Sequence, residues 1–168
     1  MNKQVSFFSL LLFIIPVITI FFCFQIISYY YPNFHTFPFI DGKASVSQIG
    51  RGEKTIVIFK SGFSLYILFS IIFYFKLSNF FVTLEKKNKF KVYGILANFF
   101  LFLYIVALGM DGTFFSAIRR LAIIFHIATI YISHIYFIKK IRSLNIEKKI
   151  VLNNIYLYIF YTIVTLMS

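Results

Sequence analysis

The chain lacks tryptophan, has a single cysteine, and contains only five acidic residues among 168. The lone cysteine, Cys23, excludes an internal disulfide. No histidines, cysteines or carboxylates show metal-ligand spacing, and neither a nucleotide-binding glycine loop nor a catalytic triad signature is present. We therefore expect no metal and no cofactor, and we assign no catalytic residue.

Long apolar stretches dominate what is present. Hydrophobic residues make up 60% of the chain and the mean hydropathy is +0.86, above values typical of soluble domains. About 20 apolar residues cross a hydrocarbon core of ~30 Å as a helix. Five such stretches occur, at residues 7–28, 61–81, 92–109, 116–138 and 150–167. Each is apolar all round, which predicts an all-α, polytopic transmembrane bundle of five spans in a single domain, residues 1–168.

The basic residues predict the orientation of these spans. The formal net charge is +12, and most lysines lie in two short gaps, residues 85–91 and 139–149. Short basic gaps stay in the cytoplasm, which predicts a cytoplasmic N-terminus and an extracytoplasmic C-terminus, in a bacterial cytoplasmic membrane. Because the basic residues flank spans, they indicate contact with anionic lipid and not with nucleic acid.

The longest polar segment, residues 29–60, is predicted to be an outer loop. It holds two of the three prolines, and its centre, residues 44–49, alternates apolar and small polar residues, which fits a short strand or a short helix. Several of its side chains are apolar: Phe37, Phe39, Ile40, Val46 and Ile49. We therefore expect an ordered loop that packs over the outer ends of the helices.

Charged residues on the predicted outer side form the candidate site. Ionisable groups near a membrane are costly and mark functional positions. The set comprises Asp41, Arg51, Glu53, Asp111, Arg119 and Arg120. One interpretation is ion pairing, with Asp111 bound to Arg119 or Arg120, and Asp41 bound to Arg51 or to an arginine of the fourth span. The other is a basic pocket for a phosphate-bearing lipid headgroup, since the planar guanidinium binds phosphate through two hydrogen bonds. The two can coexist.

The fourth predicted span carries a polar stripe. Arg119, His126 and Ser133 are seven residues apart and so share nearly one helix face. His126 completes the candidate site, either as an interhelical hydrogen-bonding group or as a proton-handling or substrate-contacting one. An enzyme would need a base beside a nucleophile. His35 or His126 could serve with Ser45, Ser47 or Ser116, but no spacing motif links them, so an enzymatic role is left open and not favoured.

The outer loop resembles that of a known family. The run Pro38-Phe39-Ile40-Asp41-Gly42, followed by Ile49, Glu53 and Phe59, is similar to the first loop of the Frag/DRAM/Sfk superfamily of small multi-pass membrane proteins. Asp111-Gly112 and the histidine-bearing fourth span fall where that superfamily also keeps polar residues. Asp41 replaces its usual serine, and five spans are counted here against its usual six. The resemblance implies a lipid-linked membrane role with the outer loop and helix ends as the working surface.

Three functions compete on the sequence alone. The leading hypothesis is an integral membrane protein that recognises a lipid, or assists its remodelling, at the extracytoplasmic face. The polar stripe motivates a small transporter or channel subunit, although no inverted repeat is present. The third hypothesis is a structural partner of a larger membrane complex, or a homo-oligomer, and it requires no ligand-binding or catalytic site. The expected partners are membrane lipids, mainly anionic.

The predicted topology is testable with reporter fusions. Fusions at Lys89 and Asn145 should report a cytoplasmic location and a fusion at Gln48 an exterior one, because the lysine-rich gaps share one side. A cytoplasmic signal at Gln48 would contradict the orientation.

Overall fold

The computed structural model describes residues 3–30, 46–81 and 88–143, and the regular structure within these ranges is helical. Five helices follow in chain order: α1 (Lys3–Tyr30), α2 (Val46–Gly50), α3 (Ile56–Phe81), α4 (Lys89–Ala107) and α5 (Thr113–Ser143). The predicted fifth span at 150–167 and residues 31–45 of the predicted loop lie outside the described residues.

Four of these helices are long and apolar enough to cross a membrane. The qualifying stretches are Phe7–Tyr30, Ile56–Asn79, Lys89–Ala107 and Thr113–Lys140. The predicted helical fold is confirmed for the described residues, and these four helices fit the predicted multi-pass membrane protein.

The helices extend beyond several of the predicted span limits. Helix α1 runs to Tyr30 and α3 begins at Ile56, so the predicted loop at 29–60 was too long at both ends. Helix α5 reaches Ser143 instead of residue 138. The predicted spans ended at charged residues such as Lys60. A membrane helix can include such a lysine, because its long side chain reaches the interface. Basic residues in the last turns of α5 also interact favourably with the helix dipole.

The long helices pack in chain order. Helix α1 lies on α3, α3 contacts α4, and α5 lies along α4. The order places two sets of helix ends at opposite sides of the molecule. We call the side where α4 ends and α5 begins the arginine end, after Arg119 and Arg120. We call the side where α4 begins and α5 ends the lysine end, after Lys89 and Lys139.

Each end has its own hydrophobic cluster. Toward the arginine end the buried residues come from all five helices and include Cys23, Ile27, Ile49, Phe59, Tyr66, Tyr104, Leu108 and Ala122. At the lysine end a mainly aromatic cluster comprises Val5, Tyr74, Leu77, Phe81, Phe90 and Phe137. Phe81, Phe90 and Phe137 meet edge to face at centroid distances of 5.7–6.0 Å, a favourable geometry for aromatic rings.

Helix α2 covers part of the arginine end. Val46 and Ile49 are buried in the cluster there, and a Cβ on Gly50 would lie 2.6 Å from Phe59. Thr55 Oγ1 donates to the carbonyl of Ile49, which ties α2 to the start of α3. The described part of the loop's centre, residues 46–49, thus lies in a short helix, one of the two alternatives. Order throughout the loop stays a prediction.

Two glycines allow close helix contacts. A Cβ on Gly62 of α3 would lie 2.2 Å from Thr19 Oγ1 of α1, and a Cβ on Gly94 of α4 would lie 2.3 Å from the Tyr74 ring of α3. Small residues let membrane helices approach closely, because dispersion contacts replace the hydrophobic driving force that lipid removes.

The α1–α3 contact is testable with a double-mutant cycle. Gly62→Ala should lower the free energy of unfolding by about 1–3 kcal/mol, because the added methyl group overlaps Thr19. Thr19→Ala in the same protein should restore most of the loss, since it removes the two nearest atoms. Thermal unfolding in detergent measures all three variants. Wild-type stability for Gly62→Ala alone would contradict the close approach.

Candidate functional site

Arg119 is held at the C-terminus of α4. Helix α4 ends at Ala107, and its last carbonyl groups have no donor within the helix. The Arg119 guanidinium reaches across from α5, where Nη1 donates to the carbonyl oxygens of Ala107 at 3.0 Å and Met110 at 2.6 Å. A cation at a helix C-terminus is also favoured by the helix dipole. These contacts fix the half-buried arginine without a carboxylate.

The predicted pairing of an inward arginine with Asp111 is not what the structure shows. Asp111 is exposed, and within the described ranges no ion pair joins it to Arg119 or Arg120. Backbone carbonyls hold Arg119 instead, because the chain turns at Leu108 and Gly109 and brings the end of α4 under α5. Arg120 is exposed beside it. One arginine therefore faces the protein and its neighbour faces outward.

Two of the three predicted site residues of the outer loop, Arg51 and Glu53, are among the described residues. Arg51 and Glu53 lie in the turn between α2 and α3, exposed and at the arginine end. Lys54 from the same turn places Nζ 5.7 Å from the centroid of the Tyr30 ring, within cation–π range. Asp41 lies outside the described residues. The structure thus brings Arg51, Glu53 and both arginines of α5 to one end of the molecule.

His126 and Ser133 continue the contact that Arg119 begins. His126, only 4% exposed, places Nδ1 2.8 Å from the carbonyl oxygen of Ala97. Ser133 Oγ donates to the carbonyl of Phe90 at 2.7 Å. A carbonyl oxygen can only accept, so Nδ1 of His126 carries the proton. Arg119, His126 and Ser133 therefore all bond the backbone of α4, and we call this set the α4–α5 polar seam.

A second polar contact joins α4 to α3, and only one of its two side chains could be predicted from the sequence. Asn98 Nδ2 donates to Ser70 Oγ at 2.9 Å and to the carbonyl of Gly94 at 2.8 Å, while its Oδ1 is buried without a partner among the described residues. An asparagine within an apolar span predicts an interhelical hydrogen bond, but the sequence does not indicate that Ser70 is its partner. The one feature of the sequence that could have indicated Ser70 is that it is a small polar residue within an apolar span.

The candidate metal ligands and catalytic pairs are described only in part. Within residues 3–30, 46–81 and 88–143, no three potential ligands among histidine, cysteine, aspartate and glutamate come together. Ser116 and His126 lie ten residues apart on α5, about 15 Å along the axis and beyond hydrogen-bond reach. His35 and Ser45 lie outside the described residues.

Comparison of the chain with protein-family models, with curated proteins and with solved structures finds no match. The resemblance to the Frag/DRAM/Sfk superfamily stays a prediction from the sequence, and the functional case depends on the geometry of the arginine end.

Arg119 and Arg120 should differ in their effect on stability. Arg119→Ala should lower the free energy of unfolding by about 1–3 kcal/mol, because it removes two charge-assisted hydrogen bonds to the end of α4. Arg120→Ala, the matched control with the same loss of charge, should change it by less than about 0.5 kcal/mol. Thermal unfolding in a zwitterionic detergent measures both. Equal losses of stability in the two variants would mean that the loss of charge, and not the loss of the contact with α4, lowers the free energy of unfolding.

Proposed function

We propose that this protein is an integral membrane protein that recognises a membrane lipid, or assists its remodelling, at the arginine end, on the extracytoplasmic side. The observation that carries the proposal is the pair Arg119 and Arg120, one fixed by backbone carbonyls and the other exposed. Neither is neutralised by a carboxylate of the described residues.

The way Arg119 is held leaves it able to bind an anion. Of the three guanidinium nitrogens, only Nη1 donates hydrogen bonds to the protein. Nε and Nη2 have no hydrogen-bond partner within the described part of the chain. Carbonyl groups orient the guanidinium but carry no formal charge, so its positive charge is retained. A phosphate group can accept two parallel hydrogen bonds from such a fixed guanidinium. Arg120 adds a second charge close by.

The depth of the two arginines fits a lipid headgroup. Arg119 lies six residues after the start of α5 at Thr113, about 9 Å along the helix axis. The headgroup region occupies roughly 5–8 Å on each side of the hydrocarbon core. Because a spanning helix ends near the headgroups, we expect both arginines to lie close to this region. The resemblance of the outer loop to the Frag/DRAM/Sfk superfamily favours the same lipid-linked role.

The competing transport hypothesis depends on the polar stripe of α5. A conducting path needs polar side chains that are available to a substrate or to water. The three stripe residues instead bond the backbone of α4. The stripe that motivated the transport hypothesis is therefore engaged in helix packing, which favours lipid recognition over transport.

Native mass spectrometry of the purified protein tests the proposal. The wild type should retain bound phospholipid, and Arg120→Ala should reduce the retained lipid several-fold with unchanged thermal stability. Lys54→Ala removes one charge from the same end and is the matched control, expected to retain the wild-type amount. Unchanged lipid content in Arg120→Ala, or an equal loss in Lys54→Ala, would overturn a site built on the arginine pair.

A further inference from the structure

Two lysines from different helices converge on one aromatic ring at the lysine end. Lys89, at the start of α4, places Nζ 5.5 Å from the centroid of the Tyr136 ring. Lys139, three residues beyond Tyr136 on α5, places Nζ 6.0 Å from the same centroid. The two ammonium groups can therefore be no farther apart than the sum of these distances. Both lysines are exposed.

A second ring fixes this arrangement. Tyr93 of α4 is parallel to Tyr136, with an interplanar angle of 4° and centroids 5.4 Å apart. Each of the two helices thus supplies one tyrosine and one lysine. Tyrosine is favoured at the membrane–water interface, where its ring contacts apolar groups and its hydroxyl reaches water. The stacked pair holds the two lysines at that level.

The convergence of like charges points to an anion. The two carboxylates of the described residues, Glu53 and Asp111, lie at the arginine end, so neither Lys89 nor Lys139 has a carboxylate partner among the described residues. Two ammonium groups repel each other, and the repulsion is greater at an interface than in bulk water because the local dielectric constant is lower. Their approach to one ring is favourable when an anion lies between them. Each ammonium carries three donors on a flexible stem, which lets two lysines bond two oxygens of one phosphate.

We infer that Lys89, Lys139 and Tyr136 form a binding site for the phosphate group of an anionic membrane lipid at the lysine end. This site is separate from the arginine end and does not depend on the proposed function. Val92 and Ile135, each next to one tyrosine of the stacked pair, are exposed at 62% and 41%. These apolar side chains give the acyl chains of a lipid a surface that free phosphate would not use.

The test compares single neutral substitutions. Lys89→Gln and Lys139→Gln each remove one charge from an exposed position, so the fold should be unaffected. Lys76→Gln is the matched control: Lys76 is an exposed lysine toward the same end with no described aromatic ring beneath it. The thermal unfolding midpoint is measured in phosphatidylcholine vesicles with and without phosphatidylglycerol. Inorganic phosphate is added in a parallel series without phosphatidylglycerol.

Phosphatidylglycerol should raise the midpoint of the wild type and of Lys76→Gln equally, and the rise should fall several-fold in Lys89→Gln and Lys139→Gln. Tyr136→Leu, which keeps both charges but removes the ring, should also reduce it. Equal reductions in all three lysine variants would show a diffuse charge effect and overturn the site. A full rise with inorganic phosphate alone would overturn the assignment to a lipid. A lower midpoint of Lys89→Gln or Lys139→Gln in pure phosphatidylcholine would mean that the lysines bind a group of the protein itself, which would also overturn the site.

Discussion

Hydrogen bonds from α5 to the backbone of α4 fix the arrangement on which both ends of the molecule depend. The hydrocarbon core of a bilayer offers no hydrogen bonds, so a polar side chain within a span needs a partner inside the protein. Arg119, His126 and Ser133 find theirs in carbonyl oxygens of α4 and of the turn that follows it. Spaced by seven residues, they hold one face of α5 against α4 over nearly the whole length of the shorter helix. A slip of one residue would move all three from that face.

This register determines what lies at each end. At the arginine end it brings Arg119 to the last carbonyls of α4 and leaves Arg120 outside. At the lysine end it stacks Tyr136 on Tyr93 and places Lys139 near Lys89. Cationic groups are thus displayed at both ends of one helix pair. The proposed lipid sites are two consequences of a single helix–helix contact.

Much of this fold could be predicted from the sequence. Apolar runs of spanning length are unambiguous, and four of the five predicted spans correspond to described helices. The spacing of Arg119, His126 and Ser133 predicted that they share a face. Their partners could not be predicted, because a backbone carbonyl has no signature in the sequence. For the same reason Asp111, the nearest carboxylate in the sequence, was the expected partner of an arginine that bonds Ala107 and Met110 instead. The pairing of Ser70 with Asn98 depends on how α3 meets α4, which local patterns do not encode.

The protonation of His126 in a lipid bilayer tests the seam most directly. Nitrogen-15 solid-state NMR of the selectively labelled imidazole distinguishes a protonated Nδ1 from an unprotonated one. A carbon-13 label on the Ala97 carbonyl reports whether the imidazole and the carbonyl are in contact. The account predicts a protonated Nδ1 with a correlation to the Ala97 carbonyl. A bare Nδ1, or the absence of that correlation, would contradict the register of α5 on α4 and the placement of both proposed sites.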